Sequence, residues 1–594
     1  MDESMKKIRK SNGHGIKSGR RTSRNADPAS QSAPGNTRDI SPVSPPATWD
    51  YEADIAIVGG GGAGLSAAAR ALDNGRTVIV IEKMPTTGGL SQHSGAASAF
   101  NTKVGTRTGG SVWDEAARKQ ALDRGLANSG YTVDPELLAM QVDRAHEIFD
   151  WTEKKGWIHW TTLSIPGIPD QGVTRVVVKD FDGNFSRVGM DLFNAGGAEY
   201  LMGMKPFIDW LAKFVSDKGG RILPGTPAKA LVRDGNRIIG VQAHDADGKT
   251  IYIKGTIAVI LAGGGFTNNR EMVKKYLARA YEGCGSTWCP PLDTGEVIRM
   301  AFGAGADIAG EGAFMAFYGG IPYWDTKYTG RDKPGPWFQY LRSGATQFAR
   351  QPWLTLNKTC EQFMPWAVSQ DYTQAAAAVM AQPGHAAYRI VDADYATQVW
   401  KLMPVFDQRP SLPTDRHPKD LNGVDLFESV PDLATITDQN WVDGVEKSIG
   451  LGGIKRADSI DALAKELGLD PTRLTAAVDA WNAQCASGRP DAWGRPAEFQ
   501  IPIVKAPFYG VKFAGLMGLS LCGPRVNANL QVLDKNGSVI PGLFAAGLSA
   551  GGLNGEYQMQ TPVGSGIGTA LTTGFVAGDN ASRTTPSYVP GPFR

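Results

Sequence analysis

The chain has 594 residues, more than one typical domain needs, so two domains and a tail are expected. Its 61 basic and 59 acidic side chains nearly cancel, to a formal +2, which leaves no electrostatic case for nucleic acid or an anionic membrane surface. No apolar stretch approaches the ~20 residues of a membrane-spanning helix, and the five cysteines (284, 289, 360, 485, 522) form no CxxC pair, so a reduced cytoplasmic setting is the default.

Residues 1–50 are rich in Lys, Arg, Ser, Asn and Pro and have almost no apolar side chains, so a disordered basic tail is expected there. Arg20-Arg21 invites a twin-arginine export reading. The apolar run that such a signal needs is missing between Thr22 and Pro46, so export is not expected. An apolar strand then begins at Asp54 and runs into glycines spaced GxGxxG at Gly59, Gly61 and Gly64. Gly62 and Ala63 lie between them. A helix-compatible run follows from Leu65 to Leu72, and a second strand, Thr77 to Ile81, ends at Glu82-Lys83. In a dinucleotide site the first glycine turns the chain, the second lets a pyrophosphate approach the backbone, and the third lets helix pack on strand. The helix N-terminus offers unpaired N–H groups to phosphate, and Glu82 stands where a carboxylate can bond ribose hydroxyls. Small residues are dense again at Gly88, Gly89, Ser91, Ser94 and Gly95, which lets backbone lie against a large flat ligand.

Helices are expected over 111–127 and 135–155, the second with an apolar stripe at Leu137, Leu138, Val142, Ala145 and Phe149. Residues 221–262 read as a meander of hairpins broken at Asp234-Gly235-Asn236 and Asp247-Gly248. Its last run, Thr256 to Ala262, is a buried strand leading into Gly263-Gly264-Gly265. Between 313 and 504 the pattern turns irregular and rich in Trp, Tyr and Pro, as an inserted cap would be.

Beyond this local reading, GGLSQHSGA at 88–96 resembles the flavin-contacting loop of the fumarate reductase and 3-ketosteroid dehydrogenase flavoprotein family. So do VILAGGGFTNNREM at 259–272, TGEVIRMAFGAGA at 294–306, PGLFAAG at 541–547, VGSGIGTAL at 563–571 and the segment 460–496. The resemblance spans residues 51–583 and implies FAD. The implied fold class is α/β, a Rossmann-like FAD-binding domain (51–312 and 505–583) with an inserted α+β cap or substrate domain (313–504) and a C-terminal tail (584–594). The implied cofactor contacts are Gly59, Gly61, Gly62, Ala63, Gly64, Glu82, Lys83, Gly88, Gly89, Ser91, Ser94, Gly95, Ala228, Ala262, Gly263, Gly264, Gly547, Gly566 and Ile567. His93 faintly resembles a covalent histidyl-flavin position, but counting from Gly88-Gly89 aligns it with a non-covalent one, so FAD is expected to be non-covalent. The remaining histidines are scattered and suggest no metal site.

The resemblance implies hydride exchange between flavin and a carbon beside an electron-withdrawing group. The fumarate-reducing branch clamps its dicarboxylate with arginines and histidines. Here the aligned positions read Phe317-Tyr318, Gln370, Leu519-Ser520-Leu521-Cys522 and Glu556 to Gln560. These cannot offset the several kcal/mol that each unpaired buried charge costs. A neutral, bulkier carbonyl compound fits the cap's Trp324, Trp337, Trp353, Trp366, Tyr323 and Tyr340 better. The ketosteroid dehydrogenase-like branch works with tyrosines, which makes Tyr509, Tyr372 and Tyr318 the candidate catalytic residues. The expected function is dehydrogenation or reduction of a Cα–Cβ bond next to a ketone. Two alternatives stay open: an ene-reductase of an unsaturated carboxylate, fed by an electron-donor partner and using Arg342, Arg350 or Arg389 as anion site, and a non-redox protein that uses FAD structurally.

Overall fold

The computed structural model describes residues 37–94, 97–107, 113–162, 174–178, 204–287, 292–320, 348–349, 353–369, 372–395, 441–450, 452–555 and 565–584. Its first elements are β1 (Tyr51–Val58), α1 (Gly62–Asp73), β2 (Val78–Ile81) and α2 (Pro135–Lys154). Then come β3 (Arg221–Leu223), β4 (Ala228–Asp234), β5 (Arg237–His244), β6 (Thr250–Leu261) and β7 (Cys284–Thr287). The next group is β8 (Phe314–Gly320), β9 (Leu354–Leu356), α3 (Tyr372–Met380), β10 (Ala387–Val391) and β11 (Ile454–Ala457). The chain closes with β12 (Phe508–Ser520), β13 (Gln531–Leu533), β14 (Val539–Ala545) and α4 (Ser565–Arg583).

The eight-stranded sheet has the order β13-β14-β6-β1-β2-β3, with β5 also on β6 and β4 on β5. β14, β6, β1, β2 and β3 run parallel, and their last residues come level: Val58 pairs with both Ile81 and Leu261, and Leu261 with Ala545. The loops that follow these residues therefore leave from one edge, where an open parallel sheet holds its ligands. β4, β5 and β6 form the expected hairpins.

Local chemistry sets the helix ends. The helix expected from 111 starts at Glu115, because the Asp114 side chain accepts a hydrogen bond from Ala117 N at 2.8 Å. α2 starts at Pro135 behind Asp134, which caps Glu136 N at 2.9 Å. α1 is mostly Ala and Gly and buried almost throughout, so a second helix can lie against its backbone. α4 does so through two glycines: a Cβ on Gly574 would lie 2.1 Å from Ala63 O, and one on Gly578 2.3 Å from Ala67 O. The crossing is locked by Asp579, whose buried carboxylate accepts from Arg70 (2.9 Å), Asn74 (3.1 Å) and Arg144 (3.3 Å).

The second sheet is built around β12, in the order β7-β12-β10-β9, with β8 and β11 also on β12. Its outer face packs Leu354, Leu356, Tyr388 and Ile390 against the helices Ile460–Leu467 and Pro471–Ala486. The inner face, with Tyr318, Phe513 and Tyr509, joins the main core that runs under the first sheet.

Candidate functional site

At the shared sheet edge the three motif glycines have separate surroundings that match their separate jobs. Gly59 has φ +110, and a Cβ there would strike Ala262 O at 2.4 Å, so it is the obligatory turn. A Cβ on Gly64 would lie 1.9 Å from Gly59 O, which is helix-on-strand contact. Beside Gly61 nothing comes nearer than 3.9 Å, and beside Gly89 nothing nearer than 3.7 Å. At these two positions a side chain would only touch its neighbours without clashing, so neither glycine is required by the protein's own packing.

Glu82 holds the loop's shape. Its Oε2 accepts from Gly60 N at 2.7 Å and its Oε1 from Met84 N at 2.8 Å. Burial pushes the carboxyl above its ordinary range, and those two N–H groups pull the other way. Each oxygen keeps a lone pair for a ribose hydroxyl. Ser91 Oγ accepts from Gly62 N at 3.0 Å, so one of the N–H groups expected to face phosphate already has a hydroxyl on it. That hydroxyl can still donate outward. Lys83 Nζ donates to Thr294 Oγ1 at 2.8 Å and pairs with Glu296 at 3.3 Å. Burial alone would raise the Glu296 carboxyl, but Lys83 and the Thr294 hydroxyl outweigh it and hold it below the usual range. Ala228 opens β4 next to Lys229, whose ammonium is lowered by burial and by the Lys83 charge.

Ala262 continues β6 by donating its N–H to Val58 O at 2.8 Å. Gly263 leaves no room for a Cβ, which would meet Val297 at 2.7 Å, and Gly264 has φ +87. The turn is tied by Asp293, fully buried, which accepts from Gly265 N, from Thr267 N at 3.3 Å and from Thr267 Oγ1 at 2.9 Å. Ser549 Oγ donates to Gly264 O at 3.0 Å, and Gly547 N donates to Thr573 Oγ1 at 2.9 Å. Gly566 and Ile567 lie in the first turn of α4, with Ile567 Cδ1 3.2 Å from a Cβ built on Gly62. The implied contacts thus gather at one edge, although Gly95 lies outside the described residues. Gly88 and Ser94 flank the short turn Gly89–His93, and Gly88 N donates to Gly60 O at 2.9 Å. Asp293, Glu296 and Ser549 were not singled out by sequence reasoning. Glu296 lay inside a quoted motif, but nothing local shows that its partner is Lys83, 213 residues away.

Above this edge, Phe317 and Leu519 share an apolar cluster with Ala313, Met315 and Leu521. Leu90, from the turn after Gly89, and Leu548, after Gly547, pack against it. Phe317 and Leu519, two of the four positions that the resemblance aligns with a dicarboxylate clamp, are thus apolar and next to the glycine loops. The other two, Gln370 and 556–560, lie outside the described residues, as do Trp324, Trp337, Tyr323, Tyr340, Arg342 and Arg350.

Tyr509 and the partner of Tyr318 lie at different points along β12. Tyr509 pairs with Val391 and Arg456 near the start of β12, with the Tyr395 ring 4.8 Å away. Leu519 is ten residues further along, about 33 Å at the rise of an extended strand. Tyr318 pairs with Gly515, roughly 13 Å from Leu519 by the same measure. It is buried against Phe513 and hydrogen-bonded to Arg389. Arg389 is fully buried, and burial pulls its guanidinium down to about 10. It stacks over the Tyr318 ring at 5.5 Å and the Phe513 ring at 5.4 Å, and its Nε and Nη1 have no hydrogen-bond partner. Tyr372 is the first residue of α3, and only its backbone is described. Among the described residues there is no cluster of metal-ligating side chains, and no helix is long and apolar enough to cross a membrane.

The chain is similar to known flavoproteins. The model of a family described as FAD binding domain matches residues 54–561. A vinyl phenol reductase of Lactiplantibacillus plantarum is 26% identical over 90% of this chain and 96% of its own length. An NADH:acrylate oxidoreductase of Vibrio harveyi is 24% identical over 90% of the chain, which spans only 51% of that longer protein. Among solved structures, the 3-ketosteroid Δ1-dehydrogenase of Sterolibacterium denitrificans superposes with a TM-score of 0.66 at 19% identity, over 90% of this chain and all of that one, and so shares the fold. The cofactor is FAD, and the protein is an FAD-dependent oxidoreductase.

Proposed function

The chain belongs to the FAD-binding-domain family, and from that premise we propose that it acts on the Cα–Cβ bond of a neutral, bulky or cyclic ketone of 3-ketosteroid-like size. The observation that carries this reading is the apolar cluster joining Phe317 and Leu519 to Leu90 and Leu548. A dicarboxylate placed there would lose its hydration against hydrocarbon. The name of the vinyl phenol reductase relative, a reductase of an uncharged alkene, is in keeping with it.

FAD would lie with its pyrophosphate along Gly59–Gly64, its adenosine ribose at Glu82, and its ring system between Gly88–Ser94, Gly264, Gly547 and Gly566–Ile567. Bound there it supplies two-electron chemistry, while the protein orients the substrate and handles a proton. For the proton we retain Tyr318 and Tyr372 and set Tyr509 aside, since its hydroxyl is engaged by Arg456 and about 23 Å of strand separates it from Leu516, the partner of Phe317.

A second reading, reduction of an unsaturated carboxylate, has the acrylate-reducing relative and the unpaired nitrogens of Arg389 in its favour. The apolar cluster favours the first reading, since Arg389 reaches no further toward it than Tyr318, to which it is hydrogen-bonded.

Anaerobic mixing of the reduced holoprotein with a panel of alkenes tests both readings. Cyclic enones and ketosteroids should reoxidise the flavin, and fumarate and acrylate should leave it bleached. Fast reoxidation by acrylate alone would replace the first reading with the second.

A further inference from the structure

After Gly547 the chain follows a narrow path away from the sheet edge. A Cβ on Gly551 would lie 2.3 Å from Ala309 O, and one on Gly555 would lie 2.4 Å from Thr132 Oγ1. It returns as α4, whose first turn carries Gly566 and Ile567. One side chain bonds both the outgoing and the returning chain. Gln141, half-buried on α2, donates from Nε2 to Leu553 O at 2.8 Å and accepts at Oε1 from Thr569 Oγ1 at 2.9 Å. Its Nε2 also reaches Leu137 O at 3.3 Å, within its own helix.

A carboxamide can donate to a carbonyl through its nitrogen and accept from a hydroxyl through its oxygen at once. A Leu here would fill similar volume and make neither bond. α2 meets α4 at a second polar point, Arg144 to Asp579 at 3.3 Å. That point lies ten residues, about 15 Å, further along α4. The Arg144 contact therefore holds the far part of the helix, and Gln141 holds the end nearest the glycine loops.

We propose that Gln141 is a positioning residue for the flavin site. It fixes the first turn of α4, and with it Gly566 and Ile567, relative to the loop at Leu553. The assignment rests on the flavin placement given above. Without the carboxamide, Ile567 would be free to shift from Gly62, the first residue of α1, and the ring system would be held less firmly. Substrate that stacks on the ring would then bind more weakly, with the chemistry itself little changed.

The experiment uses holoprotein and four variants: Gln141→Leu, which loses both bonds; Gln141→Glu, which keeps an acceptor for Thr569 and loses the donor to Leu553; Thr569→Val; and Arg144→Met as a matched control on the same helix pair. FAD dissociation constants from flavin fluorescence, melting temperatures, and KM and kcat with a flavin-reoxidising enone are measured for each. Gln141→Leu should weaken FAD about tenfold, and the two single-bond variants about threefold each, as the loss of neutral hydrogen bonds implies. KM should rise in the same order while kcat stays within about twofold of the parent. Arg144→Met should lower the melting temperature and leave FAD affinity unchanged. Unchanged FAD affinity in Gln141→Leu overturns the proposal, as does an equal loss in Arg144→Met, which would reduce Gln141 to ordinary helix packing. If Gln141→Leu does not fold, the two single-bond variants decide. If no enone reacts, the substrate reading has failed, and the FAD series still settles the role of Gln141.

Discussion

Gly578→Ala adds one methyl group where α4 crosses α1. The new Cβ would sit 2.3 Å from Ala67 O and 2.8 Å from Ala67 Cα. Ordinary contact begins near 3.4 Å, so α4 must withdraw by about 1 Å or one of the helices must bend. Overpacking of this kind costs about 1–3 kcal/mol. At roughly 2–4 °C per kcal/mol for a medium-sized domain, melting should fall by about 2–12 °C. α1 also carries the glycine loop at its N-terminus, so the same shift should weaken FAD. Thermal melting of apo and FAD-saturated protein, with bound flavin counted per chain, measures both effects. Gly450→Ala is the control, because nothing lies within 4 Å of a Cβ there; it should stay within about 0.5 kcal/mol of the parent. If Gly578→Ala melts with the control and retains all its flavin, the close crossing does not position the site.

Asp579→Asn should cost about 2 kcal/mol at neutral pH, because it leaves Arg70 and Arg144 without their shared carboxylate. Burial would raise the Asp579 carboxyl, but Asn74 and Arg70 outweigh it and hold it below the ordinary 3.8. A depressed folded value stabilises above the unfolded one and is lost as pH falls through the folded one, so acid unfolding curves of parent and variant should converge below about pH 4. Tyr509→Phe should keep nearly full turnover, whereas loss of a positioned proton donor at Tyr318 or Tyr372 should cost about 10² to 10⁴ in rate, with FAD content measured in parallel. Full activity in both Tyr318→Phe and Tyr372→Phe would remove tyrosine from the proton step. Denaturation in acid should release free FAD. Flavin fluorescence that stays on the polypeptide band and disappears in His93→Ala would instead identify a covalent link.

The FAD half was legible because each of its signals is local. A positive φ at Gly59, loose surroundings at Gly61 and helix-on-strand contact at Gly64 are all encoded within six residues. Glu82 was legible in place and only partly in role, because its oxygens hold Gly60 and Met84, which spacing alone cannot reveal. The cap was less legible, because its order comes from long-range pairing. β12 meets β7, β8, β10 and β11, strands drawn from residues 284 to 457, and no periodicity in residues 508–520 names those partners. The tyrosines show the same limit. Tyr509 and Leu519 sit in one short stretch of sequence, yet an extended strand carries them to opposite ends of the sheet. Gln141 gave no signal at all, since its partners lie more than 400 residues downstream.

Because β12 is shared, caps cannot be exchanged between relatives by cutting where the irregular sequence stops. The first part of β12 pairs with β10 and β11, while its later residues pair with β7 and β8. A chimera joined at 504 would pair a foreign cap with a native β12 and require the register of Ile390↔Gly510 to form between strangers. A junction within Ala514–Leu516, with the upstream one placed after Gly320 rather than before Phe314, would keep each half of the strand with the partners it evolved beside. Recombinants made at those points are the ones expected to fold, and to carry the donor's substrate preference onto this flavin edge.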